Sequence, residues 1–335
     1  MELLGKSGGL SEQEIIELIH GCLDEMPGQY VPFGDDASAV NLHDGTLAVV
    51  KTDMLVGKTD VPKQMSLWQA ARKTVVMNVS DLAAKGVQPL AALISLGLPR
   101  GLSREDILQI GMGLNAGARE YGAYVIGGDT NEASDLVINC VLFGVVERRY
   151  FIGRWGAKPG DILAVTGSFG KPSAGLKVLL EGLPAPSAIS KLLVKSVLMP
   201  RARLKEGLVL SRAGVVTSSI DSSDGLAWSI HELARASGVG FLVETLPVSG
   251  EVRKFAELNR LNLTELCLYG GEEYELVVTV KPEFWDEAER VVREVGGSLT
   301  RIGVATEDRR VRLKIDEREL PIEVRGWEHF KTLKP

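Results

Sequence analysis

The sequence predicts a two-domain α/β (α+β type) protein, and three observations carry that prediction. The chain has 335 residues, 45% of them hydrophobic, enough for two medium-sized cores. Runs rich in Val, Ile and Leu alternate with helical patterns in both halves. Between the halves, residues 147–161 (Glu-Arg-Arg-Tyr-Phe-Ile-Gly-Arg-Trp-Gly-Ala-Lys-Pro-Gly-Asp) are charged and glycine-containing, the composition of a domain junction. The boundary is placed at residue 150, giving an N-terminal unit of residues 1–150 and a C-terminal unit of residues 151–335.

Each element has a local reason. Ser11 and Glu14 form a capping box ahead of Ile15, Ile16, Leu18 and Ile19, so a short helix opens the chain. Strands are predicted over 46–50 and 90–96, helices over 67–85 and 103–121, and strands over 123–126 and 136–146. After the junction come a strand over 162–166, helices over 172–180 and 200–212, and a strand over 215–220. A helix over 225–236, strands over 241–244 and 274–280, a helix over 283–295 and strands over 299–304 and 311–315 complete the pattern. No short-period repeat and no low-complexity tract occurs, which excludes solenoids and disordered tails.

Charge and composition exclude several function classes. Lys and Arg total 38 against 44 Asp and Glu, a net charge of −6, whereas nucleic-acid binders hold phosphates with surplus cations. No apolar run approaches the roughly 20 residues that span a bilayer, and residues 1–6 lack a signal-peptide pattern, so no membrane role and a cytoplasmic location are expected. Cys22, Cys140 and Cys267 fit neither a disulfide framework nor a zinc site and are expected to be reduced and buried. His20, His43, His231 and His329 are equally scattered. Any metal should therefore be hard and oxygen-bound.

The informative feature is a set of carboxylates predicted at strand ends among small residues: Gly34-Asp35-Asp36-Ala37, Lys51-Thr52-Asp53, Asn78-Val79-Ser80-Asp81, Gly127-Gly128-Asp129-Thr130 and Ile220-Asp221-Ser222-Ser223-Asp224-Gly225. Taken singly, each Asp reads as a cap or turn residue. Five segments of one format point to convergence at a cleft. Carboxylates about 6 Å apart would repel by roughly 3 kcal/mol per pair at an effective dielectric of about 20, so the cluster needs cations. Oxygen-only ligands point to Mg²⁺, which takes carboxylates, water and substrate phosphate, and hence to phosphoryl transfer. Gly167-Ser168-Phe169-Gly170-Lys171-Pro172-Ser173 is not a P-loop, because its first glycine lies three rather than five residues before Gly170. It reads as a tight strand-to-helix turn. No dinucleotide fingerprint, nucleophile elbow or protein-kinase signature occurs.

At these residues the chain resembles the thiamine-monophosphate kinases. Gly-Asp-Asp-Ala (34–37), Thr-Asp-Met-Leu-Val (52–56), Asn-Val-Ser-Asp-Leu-Ala-Ala-x-Gly (78–86), Gly-Gly-Asp-Thr (127–130), Gly-Ala-Lys-Pro-Gly-Asp (156–161), Ile-Asp-x-Ser-Asp-Gly-Leu (220–226) and Gly-Glu-x-Tyr-Glu-Leu (271–276) stand in that family's order. Seven such motifs, spanning nearly the whole chain, mark the wider superfamily of aminoimidazole ribonucleotide synthetases.

The resemblance implies a two-domain aminoimidazole ribonucleotide synthetase-like fold whose N-terminal domains pair their sheets in a homodimer. It implies ATP and several Mg²⁺ ions in an inter-domain cleft, with thiamine monophosphate as acceptor. By the family's pattern, Asp36, Asp53, Asp81, Asp129, Asp221 and Asp224 hold metal, assisted by Thr52. Gly128, Asp129, Arg154 and Ser223 contact ATP, and Glu272 and Trp327 contact the substrate. No general base is expected, since the nucleophile is already a phosphate anion. Arg154 can bind phosphate bidentately or stack as an inter-domain contact beside Trp155. Trp327 can stack on a cationic thiazolium ring or plug the last strand.

Two positions depart from the family. Asp60 stands where a substrate-binding His is usual, so either it meets a different part of the substrate or Lys58 or a neighbour supplies the cation. Lys51 replaces a small hydroxyl residue at a metal-contacting position, where its charge can substitute for part of an ion's. Alternatives are another enzyme of the superfamily, of the purine-precursor, selenophosphate or hydrogenase-maturation type, or a non-catalytic nucleotide-binding protein of the same fold. The Ser7-Gly8-Gly9 segment and the Thr-Leu-Lys-Pro ending lack the cysteines that the selenide and maturation chemistries need.

Overall fold

The computed structural model describes residues 10–42 and 44–327. The Ser7–Gly9 segment, His43, His329 and the chain's ending lie outside the described residues. Helix α1 (Glu12–His20) starts as predicted: Ser11 accepts the N–H of Glu14, and the Glu14 carboxylate accepts the N–H of Ser11 at 2.8 Å. α1 buries none of its residues, so Cys22, just beyond it, is exposed; the expectation that all three cysteines are buried holds for Cys140 and Cys267 only.

The first half continues through β1 (Ser38–Asn41), β2 (Thr46–Val56), α2 (Gly57–Asp60), α3 (Leu67–Ala84), β3 (Pro89–Leu98), α4 (Arg104–Glu120), β4 (Tyr124–Glu132) and β5 (Val137–Glu147). Its strands form one sheet in the order β1-β2-β5-β3-β4, with only β3 and β4 parallel. Two strands outrun their predicted ends at Val50 and Ile126. β2 pairs with apolar β5 from Thr46↔Glu147 to Val56↔Val137, and β4 pairs with β3 as far as Leu98↔Glu132. Backbone pairing continues through polar side chains once a partner strand is in place, so Asp53 and Asp129 lie inside strands rather than at their ends.

The second half contains β6 (Ile162–Val165), α5 (Lys171–Glu181), α6 (Ser187–Leu198), α7 (Leu204–Ala213), β7 (Val216–Asp221), α8 (Leu226–Ser237), β8 (Gly240–Val243) and α9 (Gly250–Asn259). It ends with α10 (Leu263–Leu268), β9 (Leu276–Val280), α11 (Trp285–Glu294), β10 (Thr300–Thr306), β11 (Val311–Ile315) and β12 (Arg318–Pro321). Its sheet runs β12-β11-β8-β10-β6-β9-β7. The sequence reading missed β1, α2, α6, α9, α10 and β12, all short or weakly patterned. The turn at Gly167–Ser173 is as expected, with Gly170 at φ 94° and its N–H donated to Glu273.

Helix α3 joins the halves. It packs on α4, β2 and β5 of the first half and on β7 and α7 of the second, and 14 of its 18 residues are buried, six of them polar or charged (Arg72, Lys73, Thr74, Asn78, Ser80 and Asp81). Two glycines permit this. A Cβ at Gly113 of α4 would sit 2.2 Å from the Trp68 carbonyl oxygen, and one at Gly207 of α7 would sit 2.0 Å from that of Ala83. Among the described residues, no helix is long and apolar enough to cross a membrane.

Candidate active site

Four pieces of backbone bring the carboxylates together: the turn before β1 carries Asp36, β2 carries Lys51 and Asp53, α3 carries Asp81, and the end of β7 with its following turn carries Asp221 and Asp224. They line one cavity of about 270 Å³ with Arg154, Ser223, Asp60, Glu272 and Trp327. Oxygens of Asp36, Asp81 and Asp221, all buried, lie within 4.8 Å of one another. At that spacing like charges repel by about 3 kcal/mol per pair at an effective dielectric of about 20.

The protein supplies cations unevenly. Buried Lys85 places Nζ 2.6 Å from Asp35 Oδ1 and 2.9 Å from Asp36 Oδ2, and donates to the Ser219 carbonyl at 2.9 Å. Arg154 donates to Asp36, to Glu232 at 2.9 Å and to the Gly34 carbonyl at 2.8 Å. Burial would raise the Asp36 pKa, but Arg154 and then Lys85 outweigh it and hold the carboxyl at about 2. Lys51 Nζ lies 3.1 Å from Asp81. Burial opposes its charge, yet Asp81 and then Asp53 keep the ammonium protonated well above its ordinary range.

Among the described residues, the Asp221 carboxylate has only the Ser80 hydroxyl, at 2.7 Å, as hydrogen-bond donor. Burial, followed by the charge of Asp36, pushes its pKa up to about 6. Burial, followed by Asp221, pushes Asp224 up to about 7. This half of the cluster resists ionisation until a cation arrives.

At the other end of the cavity, Lys73 on α3 is ion-paired with Glu272 and donates to the Asp60 carbonyl at 3.2 Å. The Asp60 carboxylate accepts the Val56 N–H at 2.7 Å. Two expected substrate residues are thus tied through one buried cation, and that cation is Lys73 rather than Lys58, whose N–H bonds Asp135. Glu272 and Tyr274 adopt left-handed φ of 65° and 54°. Their N–H groups donate to the carbonyls of Ser223 at 2.6 Å and Ser222 at 2.9 Å, which holds the strained segment against the Asp221 turn. The Trp327 N–H donates to the Asp224 carbonyl at 2.9 Å while 59% of the residue stays exposed, so the indole is no plug for the last strand.

Three expected residues are not brought to the cavity. Ile138, Cys140 and Leu142 face the core, so the odd-numbered residues of β5 face outward. Asn139 opposes Ser95, and Ser95 opposes Asp129, which puts Asp129 on that outward face. Thr52 shares it, with Oγ1 3.0 Å from Asn139 Oδ1. Asp53, one residue on, points to the opposite face and the cavity. Gly128 sits in the same edge strand, where a Cβ would stand 1.8 Å from the Ile94 carbonyl oxygen. The sequence grouped these residues because strand alternation is invisible once strands are taken to end before them. It missed Lys73, Lys85, Ser80 and Tyr274; the available signal was two lysines, at 73 and 85, in a helical pattern that is mostly apolar and small.

The donors fit a hard cation: they are carboxylate oxygens without nitrogen or sulfur ligands. Buried Asn78 Oδ1 on α3 and Ser222 Oγ on the Asp221 turn also lack hydrogen-bond partners among the described residues.

Comparison with known proteins places the chain in a family. Residues 34–146 match the N-terminal domain of AIR synthase-related proteins, and residues 158–316 match the C-terminal domain. A thiamine-monophosphate kinase of Nitrosopumilus maritimus is 34% identical over 322 residues, covering 96% of this chain and 99% of that protein. One of Pyrococcus horikoshii is 36% identical over 324 residues, covering 96% and 97%. A solved structure described as AaThiL complexed with AMPPCP and TMP superposes with a TM-score of 0.85 at 29% identity, covering 98% of this chain and 100% of that one. A thiamine monophosphate kinase structure from Aquifex aeolicus gives 0.76 at 28% identity, covering 91% and 97%. With the two-domain fold matched along nearly its whole length, the chain belongs to the AIR synthase-related family, in its thiamine-monophosphate kinase branch.

Proposed function

We propose that this protein transfers the γ-phosphoryl group of ATP to thiamine monophosphate, giving thiamine diphosphate and ADP. The observation that carries the reading is the convergence of Asp36, Asp81 and Asp221 within 4.8 Å, in the cavity that also holds Asp53, Asp224, Glu272 and Trp327. The acceptor is already an anion, so the barrier lies in bringing two polyanions together in line. Asp36, Asp53, Asp81, Asp221 and Asp224 would hold several Mg²⁺ ions. When bound, the ions neutralise and align the phosphates.

The chain's own groups orient the reactants. Arg154, fixed by Asp36 and Glu232, presents a permanent positive charge at the cavity wall. Ser223, in the turn held by the Glu272 N–H, offers a hydroxyl to ATP. The Lys73–Glu272–Asp60 group would receive the substrate, and Trp327 presents an indole face to its cationic ring.

We also propose a homodimer, with the domain boundary near residue 150. Supporting it, the outward face of the first sheet exposes Val50, Met54, Leu93, Phe143 and Val145, and edge strand β4 is exposed along its length. Thr52, Gly128 and Asp129 would act from that buried interface. Sedimentation at several concentrations tests it.

For the activity, incubation with ATP, Mg²⁺ and thiamine monophosphate is expected to yield thiamine diphosphate and ADP. ADP released only with a different acceptor would overturn the assignment.

A further inference from the structure

Among the described residues, Lys51 is the one cation that the first sheet itself places in the carboxylate cavity. The β2–β5 ladder sets Lys51 opposite core-facing Leu142, two residues before Asp53, so its side chain leaves the sheet on the cavity side. Nζ stands 3.1 Å from Asp81, and the side chain is only 19% exposed. A cation so buried is retained only where carboxylates surround it. Within the trio, Asp36 already has Lys85 and Arg154, and Asp221 has the Ser80 hydroxyl. Lys51 is the only cation paired with Asp81 among the described residues.

We propose that the Lys51 ammonium is a resident counter-ion, filling beside one oxygen of Asp81 the place of one divalent ion, so that the cluster takes one divalent ion fewer than its carboxylates could otherwise hold. The inference rests on the metal-assisted reading of the cavity and adds which part of it metal does not need to enter. A primary ammonium neutralises one carboxylate without demanding octahedral oxygen ligation, and it stays when Mg²⁺ leaves. The protein would thus keep one end of the cluster assembled between turnovers.

The test counts ions rather than turnover. Mn²⁺ is titrated into the full-length protein with a non-hydrolysable ATP analogue and no acceptor, and free Mn²⁺ is read by electron paramagnetic resonance. Lys51→Met is expected to bind one more Mn²⁺ per chain than the wild type, and Lys51→Arg the same number as the wild type. With chelator, the Lys51→Met melting temperature should fall below wild type and recover when Mn²⁺ is added. Equal counts in wild type and Lys51→Met, with Mn²⁺ bound in both, would overturn the role of Lys51 alone. A melting temperature that Mn²⁺ does not restore would overturn it too, as the mark of a purely structural pin. A wild type that binds no Mn²⁺ would overturn the metal-assisted reading and this inference together.

Discussion

The two ends of the carboxylate cluster are built on opposite electrostatic plans. At the Asp36 end, Lys85 and Arg154 reach in from α3 and from the inter-domain segment, and the carboxyl is held at about 2. At the Asp221–Asp224 end no cation among the described residues approaches as closely, and burial leaves the two groups at about 6 and 7. Asp36 and Asp221 are equally buried, so burial alone does not separate the two ends. The difference is where the compensating charge comes from: the Asp36 end is stitched into the fold, while the Asp221 end leaves its desolvation penalty outstanding.

The largest expected effect breaks this contrast most directly. Asp221→Asn should lower kcat about a thousandfold, because metal-held charge stabilisation is worth several kcal/mol. The same variant should leave the metal-free protein as stable as wild type or more so, since a repelling buried carboxylate is gone. A large drop in its melting temperature would mean that the Asp221 end is also structural. Next, Lys85→Met should destabilise the protein by about 3–5 kcal/mol, as removing one partner strands buried charge. Denaturant unfolding measures this, and a loss under 1 kcal/mol would erase the distinction.

A smaller effect concerns pH. The folded pKa values of Asp221 and Asp224 lie above the ordinary 3.8, so their stabilising contribution is complete below about pH 4 and lost as pH rises through 6 and 7. Asp36 works the other way, contributing above 3.8 and losing that contribution as pH falls through about 2. The melting temperature of chelator-treated protein should therefore fall between pH 5 and pH 8, and saturating Mg²⁺ should reverse most of the fall at pH 8. A flat profile would argue against an uncompensated end. Smallest, Ser80→Ala removes the hydroxyl donor to Asp221, worth about 1 kcal/mol, and should raise the Mg²⁺ needed for half-maximal activity about fivefold.

Much of this was legible from residues alone. The Ser11 capping box, the helix over 67–85 and the apolar strand over 136–146 carry strong local signals, and all three formed within one or two residues of expectation. Helices α9 and α10 did not show, because their few apolar residues pack only on neighbours from other segments, which local periodicity does not encode. The acidic segments announced an oxygen-ligand site, but not which of their members meet.

The sequence by itself determined the two-domain α/β plan, the run of acidic segments and the family, because residue type, spacing and motif order are properties of the chain. Tertiary structure alone decided that Asp53 enters the cavity while its neighbour Thr52 and the more distant Asp129 face the other way, since a side chain's face depends on the partner strand that sets the pleat. It also decided which carboxylates are compensated: Lys85 lies 49 and 50 residues along the chain from Asp36 and Asp35, and only the packing of α3 beneath the first sheet brings them to 2.9 and 2.6 Å.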